Sequence, residues 1–237
     1  MRSSRFSGLS IIAAALIALS LAFMAISIKA GLLQFRDADR VVSVKGLAER
    51  TVEADLALWP INFSVAGNSL DQLQTDIEAQ QSLIRSFLLL KGFVEEDIQL
   101  SMPKITDQHA NVYGQTLPPE RYRAEVTVLV RTEDVERVKT GMQMVGELVK
   151  SGVALTQSYE FQPRFIFTQL ESIKPEMIAH ATRDARAAAD QFARDAQAEV
   201  GSIRRASQGY FSIEDVDAFT PEIKRVRVVT SVDYILR

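Results

Sequence analysis

Apolar residues along this chain repeat first every second position, then every third or fourth, and the changes of period mark its elements. Val42 and Val44 share one face of an extended stretch, and Val52, Ala54, Leu56 and Leu58 share another, so "RVVSVKGLAERTVEADLALWP" predicts two paired strands. At Trp59-Pro60 the apolar phase slips by one, continuing as Ile61, Phe63 and Val65. A bulge is expected there, because proline has no N–H for a ladder and is tolerated where pairing is interrupted. Ser69 and Gln72 form a capping-box pair ahead of Leu70, Leu73, Ile77, Ile84 and Phe87, whose spacing predicts a helix that ends by Gly92. A strand is expected around 98–105, and a second from Tyr122 to Val130 through Ala124, Val126 and Val128.

A second helix is predicted near 133–150, with Val135, Val138, Met142, Val145 and Val149 on one stripe. Strand signals return in "ALTQSYEFQPRFIFTQ", where Pro163 marks a break. The third helix is expected from about Lys174 to Val200, with Pro175 in its first turn and the stripe Met177, Ala181, Ala185, Ala188, Phe192, Ala196 and Val200. Two further strands close the chain, the last with Val226, Val228, Thr230, Val232 and Tyr234 on one side. From Val52 to about Phe167 the order strand–helix–strand–strand–helix–strand is that of a ferredoxin-like split unit. The predicted fold class is α+β, with three helices packed on largely antiparallel sheet as one domain over 41–237.

Ahead of this body the pattern disappears. Residues Leu9 to Ile28 are twenty positions without a charge, and at about 1.5 Å per helical residue they match the roughly 30 Å hydrocarbon core of a bilayer. A cleaved leader has a shorter apolar region and a small-x-small cleavage site, and Ile28 before Ala30 breaks that rule. The expectation is a retained signal anchor: tail and transmembrane segment over 1–30, a juxtamembrane linker over 31–40, and the lipid bilayer as partner of residues 9–28. The charges of Arg2 and Arg5 are balanced by Lys29, Arg36 and Arg40, so orientation follows from the difficulty of translocating the short tail, which leaves the body outside. The alternative is a soluble exported protein, produced by cleavage.

Charge narrows the function. The 27 basic residues include Arg2, Arg5 and Lys29, whereas none of the 30 acids falls in the first thirty positions, leaving 24 bases against 30 acids in the remainder. A mildly anionic body argues against binding nucleic acid through phosphates. The absence of cysteine excludes disulfides, iron–sulfur clusters, thiolate zinc sites and a cysteine nucleophile.

Several stretches together carry a family resemblance: "VVSVKGLAERTVEADLA", "RYRAEVTVLVRTEDVERV", "ARAAADQFARDAQAEVGSI" and "VRVVTSVDYIL". They resemble the SIMPL domain, a family of bacterial envelope proteins, over nearly everything from Arg40 to Arg237. The opening is similar to the family's V-x-V-x-G-x-G-x-V…P-D-x-A, with Ala48 in place of the second glycine and Ala54 in place of the proline, so a different first turn is expected. The resemblance implies an exported or membrane-anchored α+β body, large ring-like homo-oligomers in some members, and a role in envelope stress. It brings no catalytic residues and no cofactor. With the apolar segment it places the protein at the bacterial inner membrane, single-pass, with the body on the periplasmic side.

Candidate chemistry is sparse. Arg204, Arg205, Lys224, Arg225 and Arg227 converge if the last two strands pair, which would make a patch for an anionic ligand or lipid headgroup. Glu176, His180 and Asp184 lie four apart on the third helix, where carboxylate–imidazole–carboxylate is the weak metal candidate; a charged helix face gives the same pattern. No nucleophile elbow or phosphate loop occurs, since Glu147 stands where the lysine of the glycine-spaced "GMQMVG" stretch would be needed. The polar loop from Thr106 to Glu120, with Tyr113, Leu117, Pro118 and Pro119, exceeds a usual hairpin connection and is a candidate partner or subunit contact. The leading reading is a membrane-anchored envelope protein that acts by self-assembly and binding. A small-molecule or anionic-lipid binding module and a hydrolase are the alternatives.

Overall fold

A computed structural model describes residues 17–28, 40–110, 117–156 and 158–237. Residues 17–28 are helical with exposed apolar side chains; the other positions of the expected 9–28 segment lie outside the described residues. Among the described residues no helix is long and apolar enough to cross a membrane.

The body is α+β. Its strands are β1 (Val41–Glu53), β2 (Leu56–Gly67), β3 (Ile98–Leu100), β4 (Lys104–Asp107), β5 (Tyr122–Thr132), β6 (Arg164–Ile166), β7 (Val200–Gln208), β8 (Ser212–Asp215) and β9 (Ile223–Leu236). Its helices are α1 (Leu70–Leu90), α2 (Val135–Gln143), α3 (Gly146–Lys150) and α4 (Leu170–Asp195). One sheet runs β1-β9-β7 with β8 on β9, and the other runs β3-β5-β2-β6 with β4 on β5. Two compact units result: Arg50–Ile173 with Ser212–Val226, and Met1–Glu49 with Lys174–Phe211 and Arg227–Arg237.

The larger unit contains the strand–helix–strand–strand–helix–strand order, and β5 lies between β2 and β3, antiparallel to both. One face of β2, Ala57, Trp59, Ile61 and Phe63, is buried with Ala124, Val126, Val128 and Val130 of β5 and with Leu73, Ile77, Ile84 and Leu88 of α1. Several expectations need correction here. The predicted capping box does not form: Ser69 makes no side-chain cap, and Gln72 donates instead to Asp76 at 2.9 Å. The strand expected at 98–105 is two strands, whose pairing with β5 shifts by one residue across Pro103, a residue that cannot donate to the ladder. The helix expected at 133–150 breaks into α2 and α3, and Met144, Glu147 and Leu148 bond three residues back rather than four. That tighter turn rotates the stripe, so Leu148 is buried and Val149 is exposed.

The smaller unit packs α4 on the β1-β9-β7 sheet around Val44, Ala185, Ala189, Val232 and Tyr234. Helix α4 begins at Leu170, before Pro175, and ends at Asp195; Val200 is already in β7. Its buried positions in this unit recur every four residues, as Met177, Ala181, Ala185, Ala189 and Ala193, whereas Phe192 of the predicted stripe is exposed. Small side chains allow the close approach: a Cβ on Gly46 of β1 would lie 1.9 Å from the Ala181 carbonyl oxygen. Arg186 closes the far end, stacked 5.2 Å from the Tyr234 ring and donating to the Val200 and Gly201 carbonyls.

The predicted pairing of the first two strands is also corrected, because β1 and β2 belong to different sheets. Ala54 and Asp55 connect them, with a bend at Asp55. The Ala54 N–H donates to the Glu222 carbonyl at 2.8 Å, a bond that proline at this position could not make.

Candidate functional site

Strand β2 pairs with β5 without interruption from Ala57 opposite Thr132 to Gly67 opposite Tyr122. The bulge expected at Trp59-Pro60 is therefore absent, and Ala57, Trp59, Ile61 and Phe63 keep a single phase. Proline is tolerated for another reason. On the side of β2 away from β5, β6 pairs only with Leu56–Leu58, and the next bonds are Thr156 N–H to the Asn62 carbonyl at 2.8 Å and Ser64 N–H to the Ala154 carbonyl at 3.0 Å. Pro60 occupies the gap between these two partners, where no ladder donor is required.

That gap adjoins a cavity of about 440 Å³. Trp59, Ile61, Met142, Val145, Leu155 and Phe161 give it apolar walls, and Asn62, Thr156, Ser158, Tyr159 and Gln162 are its polar groups. Among the described residues, none that lines it carries a charge or an imidazole. Trp59, the single tryptophan of the chain, is 5% exposed and rests at a tilt against Phe93, 6.1 Å between ring centres. Gly141 lets α2 lie on the indole, since a Cβ there would come within 2.9 Å of Trp59 Cζ3.

Asn62 is the unusual group. It is 4% exposed, and its Nδ2 donates to Thr127 Oγ1 at 2.9 Å. Among the described residues its Oδ1 has no hydrogen-bond partner. The Thr127 hydroxyl can both donate and accept, so reversing the amide would leave the NH₂ end unmet instead. An unmet buried amide group costs about 1–3 kcal/mol, and folded proteins contain few.

A second hollow, of about 420 Å³, shares Tyr159, Gln162 and Pro163 with the first and is lined also by Arg164, Asp215 and Lys224. Lys224 is 7% exposed and its ammonium pairs with Asp215.

The cations singled out from sequence lie on β7 and β9. Lys224 and Arg225 fall in the larger unit, whereas Arg204, Arg205 and Arg227 fall in the smaller. Arg205 stands opposite Asp233, six residues from Arg227 and thus about 20 Å along the strand. Arg227 lies 3.5 Å from Glu49. Glu176, His180 and Asp184 are exposed on α4, and Asp184 accepts from the Leu47 N–H at 2.9 Å. Among the described residues no three potential metal ligands lie together.

The stem of the 106–120 loop is tied down. His109 Nε2 is 2.9 Å from the Pro118 carbonyl, Gln108 donates to the Glu120 carbonyl, and Arg121 donates to Asp107. The Arg121 guanidinium holds the Asp107 carboxyl below its ordinary range. Leu117 and Pro119 are exposed and Pro118 is half-buried; Tyr113 lies outside the described residues.

The cavity residues carried little signal. Asn62 is a polar residue on the outward side of an alternating strand, where polar residues are ordinary. Trp59-Pro60 read as a bulge.

A profile of the SIMPL family, described as "Protein of unknown function (DUF541)", matches residues 42–232. The chain belongs to the SIMPL family. The match spans both units and includes the cavity-lining residues of β2 and the 155–163 segment. A search of curated proteins finds no match to this SIMPL protein.

Proposed function

We propose that this SIMPL protein is a binding protein of the bacterial cell envelope, tethered by residues 9–28, that takes a small apolar ligand into the cavity beside Pro60. The observation that carries the reading is the uncharged cavity with a buried, unmet Asn62 amide. About 440 Å³ lies within the 300–1,000 Å³ range of small-molecule sites, and the mixture of aromatic walls with a few polar groups is their usual composition. Binding is favoured over catalysis because, among the described residues, the cavity is lined by no carboxylate, amine or imidazole that could move a proton. The tether is supported by the twenty uncharged residues from Leu9 to Ile28.

The test uses an uncharged phenylnaphthylamine and its N-methyl derivative, which differ in one hydrogen-bond donor. Wild-type protein is expected to prefer the N–H compound by about three- to ten-fold, and Asn62→Leu to lose the preference while still binding. Failure of both compounds to bind would refute the reading.

Self-association is a second reading, supported by β7. This edge strand is exposed at every residue from Ser202 to Gln208, Ile203 included, which leaves an open ladder for another chain. The mass of the detergent-solubilised protein tests it, and a monomer at micromolar concentration contradicts it.

A further inference from the structure

The two hollows that meet at Tyr159, Gln162 and Pro163 differ in chemistry. One is lined, among the described residues, by uncharged groups, including Asn62, whose buried Oδ1 lacks a donor. The other is lined by two cations, Lys224 and Arg164, against one acid, Asp215. Lys224 is nine-tenths buried, yet an ammonium has three donors, and Asp215 is its hydrogen-bond partner among the described residues. Asp215 is itself half-exposed, so water competes for it and a better-placed anion can share or replace it at Lys224. A donor is wanted in one hollow and an acceptor anion in the next, with Tyr159, Gln162 and Pro163 lining both.

We propose that the ligand is a small apolar carboxylate bearing an amide-type N–H. Its hydrophobic body and N–H occupy the cavity at Asn62, and its carboxylate lies against Lys224 in the adjoining hollow. The inference rests on the cavity being a binding site, and it adds the charge and the polarity of the ligand. A carboxylate at a nearly buried ammonium makes a charge-assisted hydrogen bond, stronger than a neutral one. Lys224 keeps the anion-binding role expected of the cation cluster read from sequence, but its neighbours in the hollow are Arg164 and the Tyr159–Pro163 segment rather than Arg204 or Arg205.

Dansyl-phenylalanine and its carboxamide test this, because both carry an apolar body and a sulfonamide N–H and only one carries a carboxylate. Binding is followed by energy transfer from Trp59 in the full chain. The acid is expected to bind wild-type protein at least about ten-fold more tightly than the amide. Lys224→Gln should remove that difference and leave amide binding in place. Should Lys224→Gln fail to fold, Asp215→Asn supplies the opposite perturbation: it retains the ammonium, removes the competing acid, and should tighten the acid alone. Equal affinity of acid and amide in the wild type, or acid binding unmoved by Asp215→Asn, overturns the proposal while leaving the cavity a binding site. Absence of binding by either compound overturns both.

Discussion

Replacing Gly46 by alanine is expected to destabilise the smaller unit severely, and the magnitude can be worked from distances. A Cβ at this position meets the Ala181 carbonyl oxygen at 1.9 Å, the Ala185 nitrogen at 2.4 Å and the Ala185 Cβ at 2.8 Å. Contacts of carbon settle at about 3.5–4.0 Å, so α4 has to retreat by about 1.5 Å. A gap of even 0.5–1 Å forfeits about a quarter to a half of each dispersion contact, and Ala181, Ala185 and Ala189 make theirs along this same line. The loss should reach about 3 kcal/mol, the upper end of the overpacking range. With a urea slope of about 2 kcal/mol/M, the unfolding midpoint should fall by about 1.5 M, followed by the helical circular dichroism signal. Two of the three clashing atoms are backbone, so adding Ala185→Gly should not restore stability. A midpoint within about 0.3 M of wild type would show that β1 and α4 do not approach as described.

Three further outcomes follow from the same geometry. Ala54→Pro, which restores the residue of the family's opening motif, removes the N–H that bonds the Glu222 carbonyl and should lower stability by about 1–3 kcal/mol, measured by thermal unfolding. Ala189→Leu should be strongly destabilising while Phe192→Ser stays within about 0.5 kcal/mol, and the reverse order in urea unfolding would restore the stripe read from sequence. Asp107 is held below its ordinary pKa chiefly by the hydrogen bond from Arg121, opposed by burial and assisted by the His109 N–H. The folded group binds its proton less readily than the unfolded chain. Its stabilisation of the loop stem is therefore present above about pH 4 and is lost as pH falls through the folded value. Hydrogen exchange at the His109 amide should accelerate through that window in the wild type, and Asp107→Asn should show fast exchange at every pH.

Alternation made β5 and β9 legible, because each buries one face along its whole length: Ala124 through Val130 and Val226 through Tyr234 are inside as the pattern requires. The α+β class and the strand–helix order followed from such runs together with α1. Other features depend on partners that lie far away in sequence. Whether β1 pairs with β2 is decided by β9, which brings the chain end beside β1 and leaves β2 to β5. The opening motif contains Gly46 without showing why it must be glycine, and the reason is the approach of the α4 backbone. The stripe of α4 was misread because alanine is apolar without saying which way it faces, and Phe192 drew the stripe toward itself. The cavity was illegible for a related reason: Pro60 marks a gap only when it is known where β6 stops and where residues 154–156 begin to pair.

The ligand site is tested most directly by energy transfer from Trp59 to the uncharged phenylnaphthylamine, comparing wild-type protein with Val145→Phe, which fills the cavity from the turn between α2 and α3. Transfer should saturate with probe in the wild type and weaken at least about ten-fold in the variant, with the unfolding midpoint little changed. Transfer absent from the wild type, or equally strong in the filled variant, contradicts a binding site at this cavity.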